Sequence, residues 1–569
     1  MTKRARPGVR RTTGGAALAA CTILLSPLAA STAQDPPKHA HGGPSTAPAS
    51  TDPRVLFDNL GSHERKITTS SERAQKYFDQ GMRLYYGFNL HEATRAFQEA
   101  ARLDPNAAMA WWGIALAAGP NYNSPIDDER NQRAVAATAK AVALAPKASP
   151  VEQDFVAALA TRYSSDPKRD RKALDEAFAA AMKKLAANHP DDVDAQTLYA
   201  ESLMNLRPWD LWTLEGEPQP NTTEIVATLE GVLERAPNHP GANHLYIHAV
   251  EASKDPGRAL GAADRLTKLV PGAGHLVHMP AHIYVRTGRY AQASEANVKA
   301  IAADHEYFEK AEPSFEYRAM YYPHNIDFLW FAASMEGRSA ESLRAARDLE
   351  KATPADMVRQ MVDMEAGMVA PHSVLARFGR WDDILKEPAP PADLPFATGS
   401  WHYARGLAYV RKNQQGAAQK ELAALDAVIA RTPPERTIQI VNSARAILDV
   451  QSAVLGAELA AARGDSAPAI AKLEQAVALQ DQLRYMEPPP FYYPVRQSLG
   501  AALLAANRPA DAEVVYRRDL EINPGNGWSL YGLAESLRAQ GKNDEAAKAK
   551  SEFTTAWSRA DVELRSSTF

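Results

Sequence analysis

The chain has 569 residues, 45% of them apolar and 23% charged, which excludes a largely disordered or collagen-like polypeptide. Lys and Arg number 64 against 68 Asp and Glu, a formal charge of −4, so general nucleic-acid binding lacks an electrostatic footing and no nucleic-acid partner is expected. The single cysteine, Cys21, rules out an internal disulfide and thiolate zinc sites, so any metal must be held by His, Asp and Glu.

Residues 1–33 read as an export signal. Lys3, Arg4, Arg6, Arg10 and Arg11 form a basic start, Ala16 to Ala30 carries no charge, and Ser31-Thr32-Ala33 presents small residues before Gln34. Cleavage near Ala33 predicts a periplasmic or secreted mature protein. The segment Leu18-Ala19-Ala20-Cys21 also resembles a lipoprotein box, but the apolar run continues past Cys21, which favours ordinary cleavage. No later segment has the length of apolar sequence that a membrane span requires. Residues 34–70 are expected to form a flexible linker and N-terminal arm, because the stretch up to Pro53 is rich in Pro, Gly, Ser and Ala.

From Ser71 onward apolar residues recur at three and four, and Pro and Gly punctuate at the spacing of short helix pairs. The segment from Ala74 to Asn106 resembles the tetratricopeptide (TPR) repeat. With Ala74 as motif position 1, Tyr77, Gly81, Ala93, Phe97, Ala100 and Pro105 take the motif positions. Units beginning at Pro240 and Gly274, at Glu365 and Gly399, and at Tyr493 and Gly527 repeat the 34-residue spacing. The predicted fold is all-α, a TPR-like α-solenoid of antiparallel helix pairs in a right-handed superhelix over 71–569. Insertions are expected near 119–131, 206–223 and 304–322.

Of the 15 histidines, His244, His248, His275, His278 and His282 crowd into one short stretch of the chain. In the repeat frame they fall at positions 2, 5 and 9 of two consecutive first helices, which in proteins of this repeat family line the concave groove. Helical geometry agrees, since residues i, i+4 and i+7 share a face. His244, His248 and Glu251 therefore face one way on one helix, and His275, His278 and His282 on the next. Imidazoles with a carboxylate at this spacing are ligands for Zn, Fe, Mn or Cu. The predicted metal ligands are His244, His248, His278, His282 and Glu251. Glu251 and Glu201 are the candidate catalytic carboxylates, able to serve as a base toward metal-bound water.

Further groove-facing residues are His275, His324, Asp327, Asn205, Trp209, Asp210 and Trp212, the last four in an insertion. His372 and His402 fall at packing positions, and His63, His91, His189, His239 and His305 lie where no partner can be read. The Pro- and Tyr-rich stretch 485–494 either lines the groove or packs between helix pairs. Walker loops, nucleophile elbows, H-E-x-x-H and dinucleotide fingerprints are absent.

The segments AMAWWGIALAAGPNYN, NHLYIHAVEAS, GHLVHMPAHIYVRTGRY and NGWSLYGLAESL resemble a group of large exported bacterial TPR proteins. That resemblance implies a fold and no reaction. Two functions follow as expectations. One is a scaffold that binds a peptide, protein or small molecule in its groove and carries a His/carboxylate metal site. The other is a metal-dependent hydrolase or oxidoreductase built on the same solenoid.

Overall fold

The computed structural model describes residues 55–166 and 168–569. The export signal with Cys21 and the linker up to Pro53 lie outside the described residues. The chain folds as a series of short helices that pack in sequential pairs, from Glu72–Tyr86 with Leu90–Leu103 to Gly527–Ala539 with Asn543–Ala556. Short loops between partners force each pair to run antiparallel. Among the described residues the only ladder is a two-residue antiparallel pairing of Thr437–Ile438 with Asn442–Ser443. No helix there is long and apolar enough to cross a membrane. The fold is the all-α, TPR-like solenoid that the repeat spacing predicts.

Local chemistry sets the helix ends. Ser71 accepts from the Ala74 amide, Asn89 from Glu92 and Asp192 from Ala195, each satisfying a first-turn donor. Packing then explains the motif glycines. A Cβ at Gly81 would fall 2.4 Å from the Phe97 ring, and one at Gly113 would also fall 2.4 Å from it. Phe97 is thus wedged between the first helices of two consecutive repeats. Tyr516 sits in the same way between Gly500 and Gly532, where a Cβ would fall 2.3 and 2.1 Å from its ring.

Two apolar cores divide the solenoid. The first runs through the repeats from Leu60 to Phe378 and takes in Tyr492 and Trp528; the second spans Val358 to Ala549. Trp528 Nε1 donates to the Ser334 carbonyl at 3.0 Å, so the C-terminal repeats fold back on the middle ones. That return brings the 485–493 loop over the histidine-bearing helices.

Candidate metal centre

Four segments supply the centre. Helix Pro240–Val250 carries His244 and His248, with Glu251 at its C-cap. Helix Gly274–His278 carries His275 and His278, and Pro280–Arg286 carries His282. The sequence frame treats these last two as one helix. Pro280 has no amide to donate, which interrupts the ladder, yet Met279 keeps helical angles (φ −49, ψ −36), so His278 and His282 still share a face. Helix Tyr322–Met335 carries His324, directly after a π-helical turn at Tyr317–Tyr321. The His324 ring lies 4.7 Å from that of His278 and 5.6 Å from that of His282.

Glycine again permits the approach. A Cβ at Gly241 would lie 2.3 Å from the Tyr86 ring, so the helix from Pro240 can press against helix Glu72–Tyr86. As a result the Tyr86 carbonyl reaches His244 Nδ1 at 2.6 Å.

The tautomers follow from the partners. His244 Nδ1–H donates to that carbonyl, and His248 Nδ1–H donates to Glu251 Oε1 at 2.8 Å. His278 Nδ1 lies 2.7 Å from Asn297 Oδ1, whose amide nitrogen is committed to the Ala293 carbonyl at 2.8 Å, so the imidazole is the donor. His282 Nδ1–H donates to Glu251 Oε2 at 2.5 Å. Each Nε2 therefore carries a lone pair. Those of His244 and His248 have no hydrogen-bond partner, nor does either ring nitrogen of His275. Those of His278 and His282 face each other at 2.9 Å. A ligand imidazole oriented through its far nitrogen by a carboxylate, carbonyl or amide is the arrangement metal sites use.

The six histidines fall into two triads. The ligand atoms of His244, His248 and His275 lie within 4.8 Å of one another, and so do those of His278, His282 and His324. The triads adjoin: the rings of His248 and His282 are 5.6 Å apart, and those of His275 and His278 are 5.8 Å apart. Each has an aromatic floor. Phe88 lies 4.5 Å from His244 and 5.7 Å from His275, while Phe328 lies 4.6 Å from both His278 and His282.

Burial dominates the electrostatics. None of His244, His248, His275, His278 and His282 is more than 2% exposed. Desolvation, helped by neighbouring imidazoles, holds His244, His275 and His278 well below the ordinary histidine value, and His324 at about 3. Burial also opposes ionisation of Glu251, but the imidazoles of His282 and His248 outweigh it and hold this carboxyl at about 2. Beside it, burial and the Glu251 charge push Glu487 well above the carboxylate range. Tyr485 donates to Glu487 and lies 3.5 Å from Glu251.

A cover closes the chamber. Tyr122 and Trp209 pack against each other at 5.1 Å and against His248 at 5.2 and 5.7 Å. Arg484 donates to the Trp209 carbonyl at 3.0 Å and to Asp210 at 3.1 Å, pinning the insertion to the C-terminal loop. Five of the six histidines are thus buried and His324 is half-buried, where the repeat frame places them on an open groove.

Other predicted residues are placed elsewhere. Glu201 accepts from Tyr85 at 2.7 Å, and burial raises its carboxyl to about 7; the second carboxylate at the histidines is Glu487. Asp327 accepts from Trp330 Nε1 at 2.7 Å, Trp212 donates to the Ala249 carbonyl at 2.8 Å, and Asn205 caps helix Val193–Met204. His63 and His239, which show no partner in sequence, flank Asp194, each with Nε2 3.1 Å from its Oδ1. Arg65 donates to the other oxygen at 3.1 Å. His239 Nδ1 accepts from the Ala242 amide, so its Nε2 bears a proton and this cluster is an ion-pair network closed by charge. Asp194 lies seven residues before Glu201 and shares its helix face, a signal the repeat frame contains. Phe88 and Glu487 lie in loops with no periodicity to mark them.

No protein-family model matches the chain, and no curated protein matches it. Among solved structures, the human IFIT1 dimer with m7Gppp-AAAA is 13% identical, with 86% of this chain and 91% of that chain covered and a TM-score of 0.32. The human IFIT1 dimer with PPP-AAAA is 12% identical over 85% and 91%, with a TM-score of 0.30. Likeness at this level carries no functional argument.

Proposed function

We propose that the protein is an exported metalloprotein whose TPR-like solenoid encloses an all-imidazole transition-metal centre for oxidoreductase chemistry on a small molecule. The observation that carries this reading is the orientation of His244, His248, His278 and His282. Each is held through Nδ1 so that its Nε2 lone pair points into one buried space. Two such lone pairs at 2.9 Å repel unless a cation lies between them. An ion at about 2.0–2.1 Å from both nitrogens is within reach of that pair.

Oxidoreductase chemistry is favoured over hydrolysis by the imidazole donor set, which suits redox-active copper or iron. Hydrolysis needs a base beside metal-bound water. Both oxygens of Glu251 are engaged by histidines and Glu201 is engaged by Tyr85, which leaves Glu487, whose Oε2 has no hydrogen-bond partner, as the carboxylate of the three free for that role. The burial of five of the six histidines favours a small ligand over a peptide. Residues 1–33 are proposed to direct export, with cleavage near Ala33; N-terminal sequencing of native protein that still begins before residue 20 would refute this.

Elemental analysis of protein purified without a metal-affinity tag tests the centre. The native chain should carry a transition metal, and a His248→Ala/His282→Ala variant should lose it while keeping its helical circular dichroism. A metal-free native protein that takes up no added transition ion would leave the plain scaffold reading standing.

A further inference from the structure

We infer that the chamber takes a pair of copper ions, one in each histidine triad. This rests on the metal-centre reading above and specifies its nuclearity and its metal. The ligand sets are separate: His244, His248 and His275 on one side, His278, His282 and His324 on the other. Three imidazoles are enough for one ion, and six are more than a single ion takes in ordinary four-coordinate geometry.

The donors select the metal. Glu251 lies between the triads, but it gives one oxygen to His248 and the other to His282, one histidine from each triad. It therefore orients a histidine of each ligand set. Paired iron or manganese ions in helical proteins are held by several carboxylates that face the metals. Here neutral imidazoles face them, a donor set that suits copper, zinc, iron and nickel and is poor for manganese. Among these metals as divalent ions, copper binds nitrogen sites most tightly.

Charge points the same way. Five of the six histidines are at most 2% exposed, and Glu251 is the carboxylate that contacts them. Two divalent ions would leave uncompensated charge away from water, which is costly. Cuprous copper is the monovalent ion that neutral nitrogen donors hold well. The aromatic floors, Phe88 under one triad and Phe328 under the other, keep both positions apolar.

Anaerobic titration of metal-free full-length protein with cuprous copper, followed by oxidation and electron paramagnetic resonance, tests this. Wild type should bind two copper ions per chain, and the oxidised pair should show magnetic coupling between neighbouring ions. His275→Ala and His324→Ala should each bind one copper and give the uncoupled signal of an isolated ion. One copper in wild type, or two without coupling, would overturn the pair while leaving the metal-centre reading intact. Tight binding of zinc that excess cuprous copper fails to displace would overturn the choice of metal alone. No uptake of any transition ion would overturn both readings. Should a variant fail to fold, wild-type stoichiometry and coupling still decide.

Discussion

His278 and His282 face each other through Nε2 atoms 2.9 Å apart, although both are held as the tautomer that leaves those atoms unprotonated. The Asn297 amide enforces this on one ring and the Glu251 carboxylate on the other. Replacing Asn297 by Ala should therefore lower metal affinity by about 10–100-fold, since outer partners of ligand histidines carry effects of that size. Asn297→Asp retains an acceptor and should recover most of it. Equal affinity in Asn297→Ala and wild type, measured by competition with a chromophoric chelator, would show that the amide does not orient the ligand.

The depressed imidazoles make a pH prediction of definite sign. A histidine whose folded value lies below the ordinary value of about 6.5 stays neutral, and able to bind metal, as the pH falls past that point. His244, His248 and His275 are all shifted downward, chiefly by burial. Metal affinity of the first triad should thus change little between pH of about 7.5 and about 5.5, where unperturbed histidine ligands would lose about tenfold each across the range. The global unfolding midpoint is a poor monitor. Glu201, Asp304 and Asp327 are raised to about 7 by burial and favour the folded state as the pH falls from about 7, against the histidines. Isothermal titration of the His324→Ala variant at both pH values is the measurement.

The cover should govern exchange. Arg484 ties Trp209 and Asp210 to the C-terminal loop from a position outside the histidine shell. Arg484→Ala should release metal to a chelator faster than wild type while leaving the equilibrium affinity nearly unchanged. Trp209→Ala, which removes a ring packed on His248, should release it faster still. Stopped-flow transfer to a chelator would reveal identical rates if these residues do not close the chamber.

The repeat packing can be tested away from the centre. Phe97 is fully buried between Gly81 and Gly113. Phe97→Ala should cost about 3–5 kcal/mol of stability, because the two helix backbones that flank the ring cannot collapse onto the vacated space. Metal stoichiometry at low temperature should be unaffected. A shift in urea midpoint corresponding to less than about 1 kcal/mol would mean the repeats relax around the cavity.

The sequence by itself determined the helix pairs and the composition of two faces. Gly81, Ala93 and Phe97 announce a repeat because close helix crossing admits only small residues and the ring fills the gap between units. His244 with His248, and His278 with His282, announce a shared face because an α-helix returns to the same side every three to four residues. These are local facts, set by backbone geometry over a few turns. The tertiary structure alone decided that Phe88, Trp209, His324 and Glu487, from distant repeats and insertions, close over those faces. It also decided that His244, His248, His278 and His282 are buried and share one tautomer. Such contacts depend on how repeats distant in sequence pack together and on loops without period. Periodicity along the chain specifies which side a residue faces, and only the packed fold specifies what it meets there.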